Sequence, residues 1–221
     1  MKRLVILCTL ALTLGLTGCA KNTKQSTDYS AFKESKPRSI LVLPPKNQSP
    51  EIKASHSLLS SVTMPLAESG YYVFPVAVVE ETFKQNGATD PNDISAIPQK
   101  KLHEIFGADA VMYITVSDYG TSYKVIDSVT RVTATARLVD LRSGKELWTG
   151  GATASSNEGQ NNNGGGLLGM LITAAITQIA NSATDRAYDI AQVTNHRMLS
   201  AGTSGGLLYG PRSPKYAQTA L

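Results

Sequence analysis

The chain has 221 residues, 42% hydrophobic and 17% charged, and this length predicts one folded domain with a short tail rather than two domains. Its formal net charge is +4, and it falls to about +2 once Lys2 and Arg3 leave with a leader; a charge this small, without a Lys/Arg run, does not support nucleic-acid binding. Two cysteines in all exclude a disulfide framework and a cysteine-rich metal site.

Residues 1–18 are predicted to be a lipoprotein signal peptide. Lys2 and Arg3 precede an apolar stretch, Leu4–Leu14, that is too short to span a bilayer. The stretch ends in Leu16-Thr17-Gly18-Cys19, which resembles the bacterial lipobox. In that motif the cysteine thiolate accepts a diacylglyceryl group, and the lipidated residue becomes the new N-terminus. The alternative is an ordinary secretory signal with a chance Gly-Cys pair.

Lipidation of Cys19 predicts stable membrane anchoring, because bacterial lipoproteins usually carry two or three acyl chains, palmitate among them, and stable anchoring takes at least two signals. In enteric bacteria an Asp directly after the cysteine marks retention at the inner membrane. Ala20 stands there instead. Resemblance to that sorting rule therefore predicts the outer membrane, with the protein on its periplasmic face.

Residues 19–36 are predicted to form a flexible, lipidated tether, because the stretch is polar and poor in aliphatic residues. Fully extended, it would reach roughly 55–60 Å. The alternative is a short helix near Tyr29–Phe32 that packs on the folded domain.

Residues 37–200 are predicted to form an α/β domain whose first half alternates strands and helices. Apolar runs bounded by proline indicate strands, and apolar residues three and four apart indicate helices that end at glycine. The predicted elements are a strand at Ser39–Pro44, a helix at Ala54–Ser69, a strand at Tyr71–Pro75, a helix at Val76–Gln85, a turn at Asp90–Asp93 and a helix at Ser95–Phe106.

The second half of the domain is predicted to be an antiparallel meander. Its strands are Ala110–Val116, Tyr123–Asp140 and Glu146–Ser155, with a tight turn at Arg142–Lys145. Together the halves predict a single-domain mixed-sheet α/β sandwich with helices packed on the sheet. Trp148, the only tryptophan, is predicted to be a core residue of the last hairpin.

After a polar loop at Asn157–Gly166, apolar spacing predicts one long helix, Leu167–Leu199. Its Leu167–Ala180 part is shorter than a membrane span and is interpreted as a core helix. The alternative is packing against a second subunit in a homo-oligomer, because its small residues would allow close approach.

No catalytic or cofactor chemistry is predicted. His56, His103 and His196 lie in three separate predicted helices without a paired ligand, which is unlike a zinc site. Gly164–Gly166 precedes a predicted helix but lacks the Lys or Arg of a phosphate cradle. The chain contains no P-loop, and its serine, histidine and aspartate residues are too scattered to nominate a catalytic triad, so we expect a non-enzyme without a cofactor.

The tail, residues 201–221, is predicted to be extended, because its glycines and prolines exclude a regular helix. A frayed terminus is one interpretation. The other is that residues 207–216 dock on the chain's own domain or on a partner lipoprotein, with Tyr209 and Tyr216 as anchors. The candidate binding residues are Leu207, Leu208, Tyr209, Pro211 and Tyr216.

These features together resemble a bacterial lipoprotein family, domain-of-unknown-function family 799. The resemblance rests on four features: Cys19, the strand Ile40–Pro45 with Asn47, the hairpin Leu138–Trp148 and the segment Leu207–Pro211. It implies a fold like the TolB N-terminal domain, which is anticodon-binding-domain-like, and like curli-secretion-type lipoproteins.

The genes of that family tend to lie beside a curli-secretion-like lipoprotein, which implies a shared envelope complex. Two hypotheses follow. One is a structural or accessory subunit of an outer-membrane export or transport assembly with other lipoproteins. The alternative is a tethered regulator of a peptidoglycan-synthesising enzyme.

Overall fold

One mixed β-sheet organises the chain, and a computed structural model describes residues 27–123, 128–158 and 185–218. Among these residues the helices are α1 Ser30–Ser35, α2 Ala54–Leu59, α3 Thr63–Glu68, α4 Val76–Gln85, α5 Pro91–Ala96, α6 Gln99–Phe106 and α7 Arg186–Leu199, with a 3-10 turn at Tyr216–Gln218. The strands are β1 Ser39–Val42, β2 Lys46–Asn47, β3 Tyr72–Val73, β4 Ala110–Tyr123, β5 Ser128–Asp140 and β6 Glu146–Ser155.

The sheet has the order β3-β1-β4-β5-β6, and β2 pairs with β4 beyond the end of β1. β1 is parallel to β3 and β4, because helices carry the chain from each of these strands to the next. β4, β5 and β6 are antiparallel neighbours. The predicted single-domain mixed-sheet α/β fold is confirmed.

The sheet separates two apolar cores. Successive residues of β1 and the residue after it, Leu43, point to opposite faces, so Ile40 and Val42 enter one core while Leu41 and Leu43 enter the other. Helices α2, α3 and α7 contribute to the first core, and α4, α5 and α6 contribute to the second. A strand covered on both faces explains why the run from Ile40 to Leu43 is uniformly apolar.

The predicted tether is wrong over its last third, where the structure has helix α1. Phe32 is 4% exposed and packs in the first core. Lys36 ends the helix in the left-handed conformation, φ 47°, and its N–H donates to the carbonyl of Phe32. Burial of one aromatic side chain contributes about 1.5–3 kcal/mol, which outweighs the polar composition around it. The alternative of a short packed helix is therefore the correct one.

Proline divides two of the predicted helices. Ala54–Ser69 is two helices, because Pro65 in the first turn of α3 has no N–H to donate and its ring excludes the helical carbonyl of Ser61. Ser60 and Ser61 lie in the break, where their hydroxyls donate to the carbonyls of Ser57 and Leu58 at 2.9 and 3.3 Å.

The predicted helix Ser95–Phe106 is also interrupted, by Pro98. Ile97 before it is extended, with ψ 130°, as a residue preceding proline prefers. The predicted turn Asp90–Asp93 is the start of α5: Asp90 accepts the N–H of Asn92 at 2.7 Å, and Pro91 occupies the first helical position.

The meander is longer than predicted and is bulged. β4 continues to Tyr123, with a register shift between Val116 and Asp118, and β5 begins at Ser128 rather than Tyr123. A second shift in β6 sets Glu146 opposite Val139 and Trp148 opposite Leu138. Leu147 and Trp148 are consequently both buried, at 2% and 3% exposure.

A single helix from Leu167 to Leu199 is wrong, because α7 begins at Arg186. Asp185 is non-helical, ψ 84°, and its carboxylate accepts the N–H of Tyr188. Predictions for residues 159–184, including Gly164–Gly166 and Leu167–Ala180, lie outside the described residues, as do the leader and Cys19. Within the described ranges, no helix combines the length and the apolar character that crossing a membrane requires.

Candidate functional site

A cleft of about 420 Å³ opens where β1 ends. The chain runs from β1 to β3 through α2 and α3 on one face of the sheet, and from β3 to β4 through α4, α5 and α6 on the other. In open α/β sheets, ligands bind where such connections diverge. The lining includes Pro44, Ile52, His56, Glu80, Lys84 and Asn92.

His56, Glu80 and Ser55 of this cleft already have polar partners. His56 Nδ1 lies 3.4 Å from Glu80 Oε1, and the two side chains are 73% and 39% exposed. The Ser55 hydroxyl donates to the carbonyl of Pro45 at 2.7 Å rather than to the imidazole. A nucleophile needs its base within hydrogen-bond reach, and Ser55 and His56 are not arranged as such a pair in this structure.

The other histidines are placed apart from this cleft. His103, on α6, lies with Nδ1 2.8 Å from the carbonyl of Ala108, and His196 lies on α7. Across the described ranges, no three His, Cys, Asp or Glu side chains come close enough together to hold a metal ion.

The C-terminal tail docks on its own domain through three aromatic donors, Tyr29, Tyr71 and Trp148, which we call the aromatic clamp. Trp148 Nε1 donates to the carbonyl of Gly205 at 3.0 Å, the Tyr29 hydroxyl to Gly206 at 2.5 Å, and the Tyr71 hydroxyl to Leu208 at 2.6 Å. Burial raises the pKa of both phenols, so they remain donors at neutral pH.

Two glycines let the tail backbone lie directly on the domain backbone. Gly210 donates to the carbonyl of Ser69 at 2.8 Å, and Arg212 donates to that of Gly70 at 3.1 Å. A Cβ on Gly210 would lie 2.5 Å from the oxygen of Gly70, and a Cβ on Gly70 would collide with the backbone of Ser213. The segment therefore requires glycine on both sides of the contact.

The candidate residues of the tail fall into two groups. Leu207 is 1% exposed and belongs to the first core, and the partly buried Leu208 packs against that core, so both side chains contact their own domain. Tyr209, Pro211 and Tyr216 are half-buried. The predicted anchors Tyr209 and Tyr216 are thus the outer contacts, and Leu207 is the buried one.

Sequence reasoning missed the clamp residues Tyr29 and Tyr71. Tyr29 stood within the predicted tether, and Tyr71 was placed in a strand without a role for its hydroxyl. The available signal was the pair of glycines at positions 70 and 210, each next to a tyrosine. Nothing in the sequence indicates that the two stretches meet.

Comparisons with known proteins place the chain among lipoproteins. A family model described as "Putative lipoprotein GNA1162-like" matches residues 27–212. The chain is 55% identical over 203 residues to "Putative lipoprotein NMB1124/NMB1162" of Neisseria meningitidis serogroup B, covering 92% of this chain and 94% of that protein.

Solved structures give a similar result. The crystal structure of lipoprotein GNA1162 from Neisseria meningitidis is similar with a TM-score of 0.54 at 61% identity, covering 66% of this chain and 100% of that one. A slighter likeness, TM-score 0.44 at 14% identity, relates 73% of this chain to 86% of the chain in a PelC dodecamer from Paraburkholderia phytofirmans. That second likeness is too slight to carry an argument.

Proposed function

The chain belongs to the GNA1162-like lipoprotein family, and on that premise we propose that it is a non-catalytic accessory or structural subunit of an export or transport assembly at the periplasmic face of the outer membrane. Family membership supports a membrane-anchored envelope protein. The finer location is supported by the lipobox at Cys19 and by Ala20, which differs from the inner-membrane retention signal.

The observation that carries the proposal is the short distance along the chain between the lipid anchor and the folded domain. The described residues begin at Thr27, and α1 begins at Ser30. Eight residue steps separate Cys19 from Thr27, and eight steps span at most roughly 26–29 Å. The domain therefore stays close to the membrane that holds Cys19.

This short reach favours a subunit that assembles with neighbours on the same membrane. A regulator of a peptidoglycan-synthesising enzyme at the opposite membrane would need a longer tether. The engaged Ser55 and His56 of the cleft support binding rather than catalysis. The resemblance to family 799, to TolB and to curli-secretion lipoproteins remains a prediction, and it supports the same choice of function.

Cross-linking in intact cells tests the proposal. A photoreactive residue would replace Ile52 at the cleft rim, which is 92% exposed, or Thr135, which is exposed on the sheet. The matched control is the exposed Lys100 on α6. We expect adducts with outer-membrane lipoproteins from one of the first two positions and not from the control.

The outcomes separate the candidate functions by partner identity. An adduct at twice the mass of the chain would indicate a homo-oligomer within the assembly. Specific capture of an inner-membrane peptidoglycan synthase would contradict the proposal in favour of the regulator, and the absence of adducts from all positions would contradict an assembly subunit.

A further inference from the structure

The end of the chain that leads to Cys19 enters the domain beside the docked tail. Thr27 and Gly205 are neighbours, because a Cβ added to Gly205 would lie 3.3 Å from the Thr27 hydroxyl. The Tyr29 hydroxyl donates to the carbonyl of Gly206. Helix α1 and the tail also share a crevice, lined by Phe32, Lys33, Lys36, Pro37, Tyr71, Leu208, Tyr209 and Tyr216. The tail and α1 therefore form the surface nearest to the anchor along the chain.

This surface is cationic and aromatic. Lys33 and Lys36 are exposed on one side of the crevice, whose lining residues include no carboxylate. On the other side the Lys215 ammonium lies 5.5 Å from the ring centroid of Tyr209. The guanidinium of Arg212 lies 5.4 Å from the ring centroid of Tyr72, a residue that is 43% exposed. We call the set Lys33, Lys36, Arg212 and Lys215, with Tyr72, Tyr209 and Tyr216, the anchor face.

Two carboxylates at α1 make contacts outside the anchor face. Glu34 on α1 pairs with Lys145 at 2.8 Å, and Asp28 accepts the N–H of Ser30 at 2.9 Å. The stretch 20–26 adds Lys21 and Lys24 and contains no acidic residue. Positive charge therefore continues from the anchor face along the chain to Cys19.

We propose that the anchor face lies on the membrane and binds the phosphate headgroups of anionic phospholipids. This inference rests on the proposed anchoring at Cys19, whose eight-step connection keeps the face within reach of the bilayer surface. Basic side chains near an anionic leaflet each add to binding, and tyrosine rings favour the headgroup level, where one end is apolar and the other wet. Docking this face orients the cleft and the meander in a fixed way relative to the membrane.

Vesicle binding by the mature chain from Cys19, made without acyl groups, tests the proposal, because the contacts described above all lie between residues 27 and 218. Vesicles of phosphatidylcholine alone would be compared with vesicles that also contain phosphatidylglycerol. The test variant combines Lys33→Gln, Lys36→Gln, Arg212→Gln and Lys215→Gln. The control variant makes the same change in net charge with Lys46→Gln, Lys84→Gln, Lys100→Gln and Arg137→Gln.

We expect the wild type to prefer the anionic vesicles and to dissociate as salt is raised. Each cation at the surface contributes about fivefold in affinity, so the test variant, which lacks four of them, should bind roughly several hundredfold more weakly while the control binds like the wild type. Equal binding to both vesicle types, or equal loss in test and control variants with unchanged melting temperatures, would overturn the proposal. These outcomes do not depend on acylation or on cross-linked partners, so they are separate from a failure of the proposed function.

Discussion

At the scale of single residues, Trp148 joins the sheet to the tail. Its indole is 3% exposed and donates to the carbonyl of Gly205. The ring lies along its own strand, over Gly150, where a Cβ would collide with it. The prediction that Trp148 is a core residue is confirmed, and its hydrogen bond explains why tryptophan rather than another large apolar residue suits this position.

Two variants of Trp148 separate packing from hydrogen bonding. Trp148→Ala should lower the free energy of unfolding by about 3–5 kcal/mol through the cavity. Trp148→Phe keeps much of the ring and should cost less, because the loss of one hydrogen bond to an exposed carbonyl costs about 1 kcal/mol. Urea unfolding followed by circular dichroism measures both. A water-exposed emission maximum for wild-type Trp148, or equal costs for the two variants, would contradict this placement.

Asp140 fastens the β5–β6 turn to helix α1. Its carboxylate accepts the Ser143 N–H at 2.7 Å, the Arg142 N–H at 3.0 Å and the Ser35 hydroxyl at 2.5 Å. Burial alone would raise the pKa of Asp140, but these hydrogen bonds favour the charged form and hold the pKa at about 2, below its ordinary 3.8.

The low pKa of Asp140 predicts a pH dependence of stability. A carboxyl whose pKa is lower in the folded state stabilises the fold above its unfolded pKa, and this contribution of about 2 kcal/mol is lost as pH falls from about 4 to about 2. Asp140→Asn should lose it at neutral pH and show a flatter stability curve over that range. The control is Asp118→Asn at an exposed position; a wild-type curve as flat as that of Asp140→Asn would contradict the account.

At the scale of elements, the tail is held by backbone contact as much as by side chains. Gly70 has φ +97°, and a Cβ added there would collide with the tail. Gly87 has φ +78°, and a Cβ added there would have no neighbouring atom within 4 Å. Alanine strains both positions similarly, by about 1–2 kcal/mol. The two glycines share a positive φ, and the atoms that a Cβ would meet at Gly70 all belong to the tail, so Gly87 serves as the control position.

We predict that Gly70→Ala destabilises the chain more than Gly87→Ala and exposes the tail to limited proteolysis. Truncation after Ser204 should also lower the melting temperature, because it removes the buried Leu207. In the truncated chain the two alanine variants should cost the same. Identical melting of truncated and full-length chains would show that the docked tail contributes nothing to stability.

The element types were largely predictable, and their limits were not. The alternation of apolar and polar residues in β5, and the spacing of apolar residues three and four apart in α4, reflect which side chains are buried. The bounds predicted for α4, Val76–Gln85, are accordingly the observed ones. Pro65 and Pro98 act through local sterics that outweigh an apolar pattern. Helix α1 depends on a pocket for Phe32 that only the assembled fold provides.

At the scale of the whole molecule, the sites were less predictable than the fold. The cleft requires the connections on the two faces of the sheet to diverge at β1, which sequence order alone does not specify. Leu207, Leu208 and the aromatic residues of the tail indicated that the tail docks on a surface. The surface of the domain that receives it includes Tyr29 and Tyr71, which are distant along the chain and could not be identified from the sequence. The proposed anchor at Cys19 was open to prediction because the lipobox is a local motif of four consecutive residues.

The proposed function requires that lipidated Cys19 hold the domain close to the outer membrane. Labelling cells with radioactive palmitate, followed by separation of the two membranes, tests this most directly for wild type and for Cys19→Ser. We expect label on the wild type, in the outer-membrane fraction. Cys19→Ser should be an unlabelled precursor or a soluble form, because a hydroxyl is a far weaker nucleophile than a thiolate. Label on Cys19→Ser, or wild type in the inner-membrane fraction, would contradict the claim.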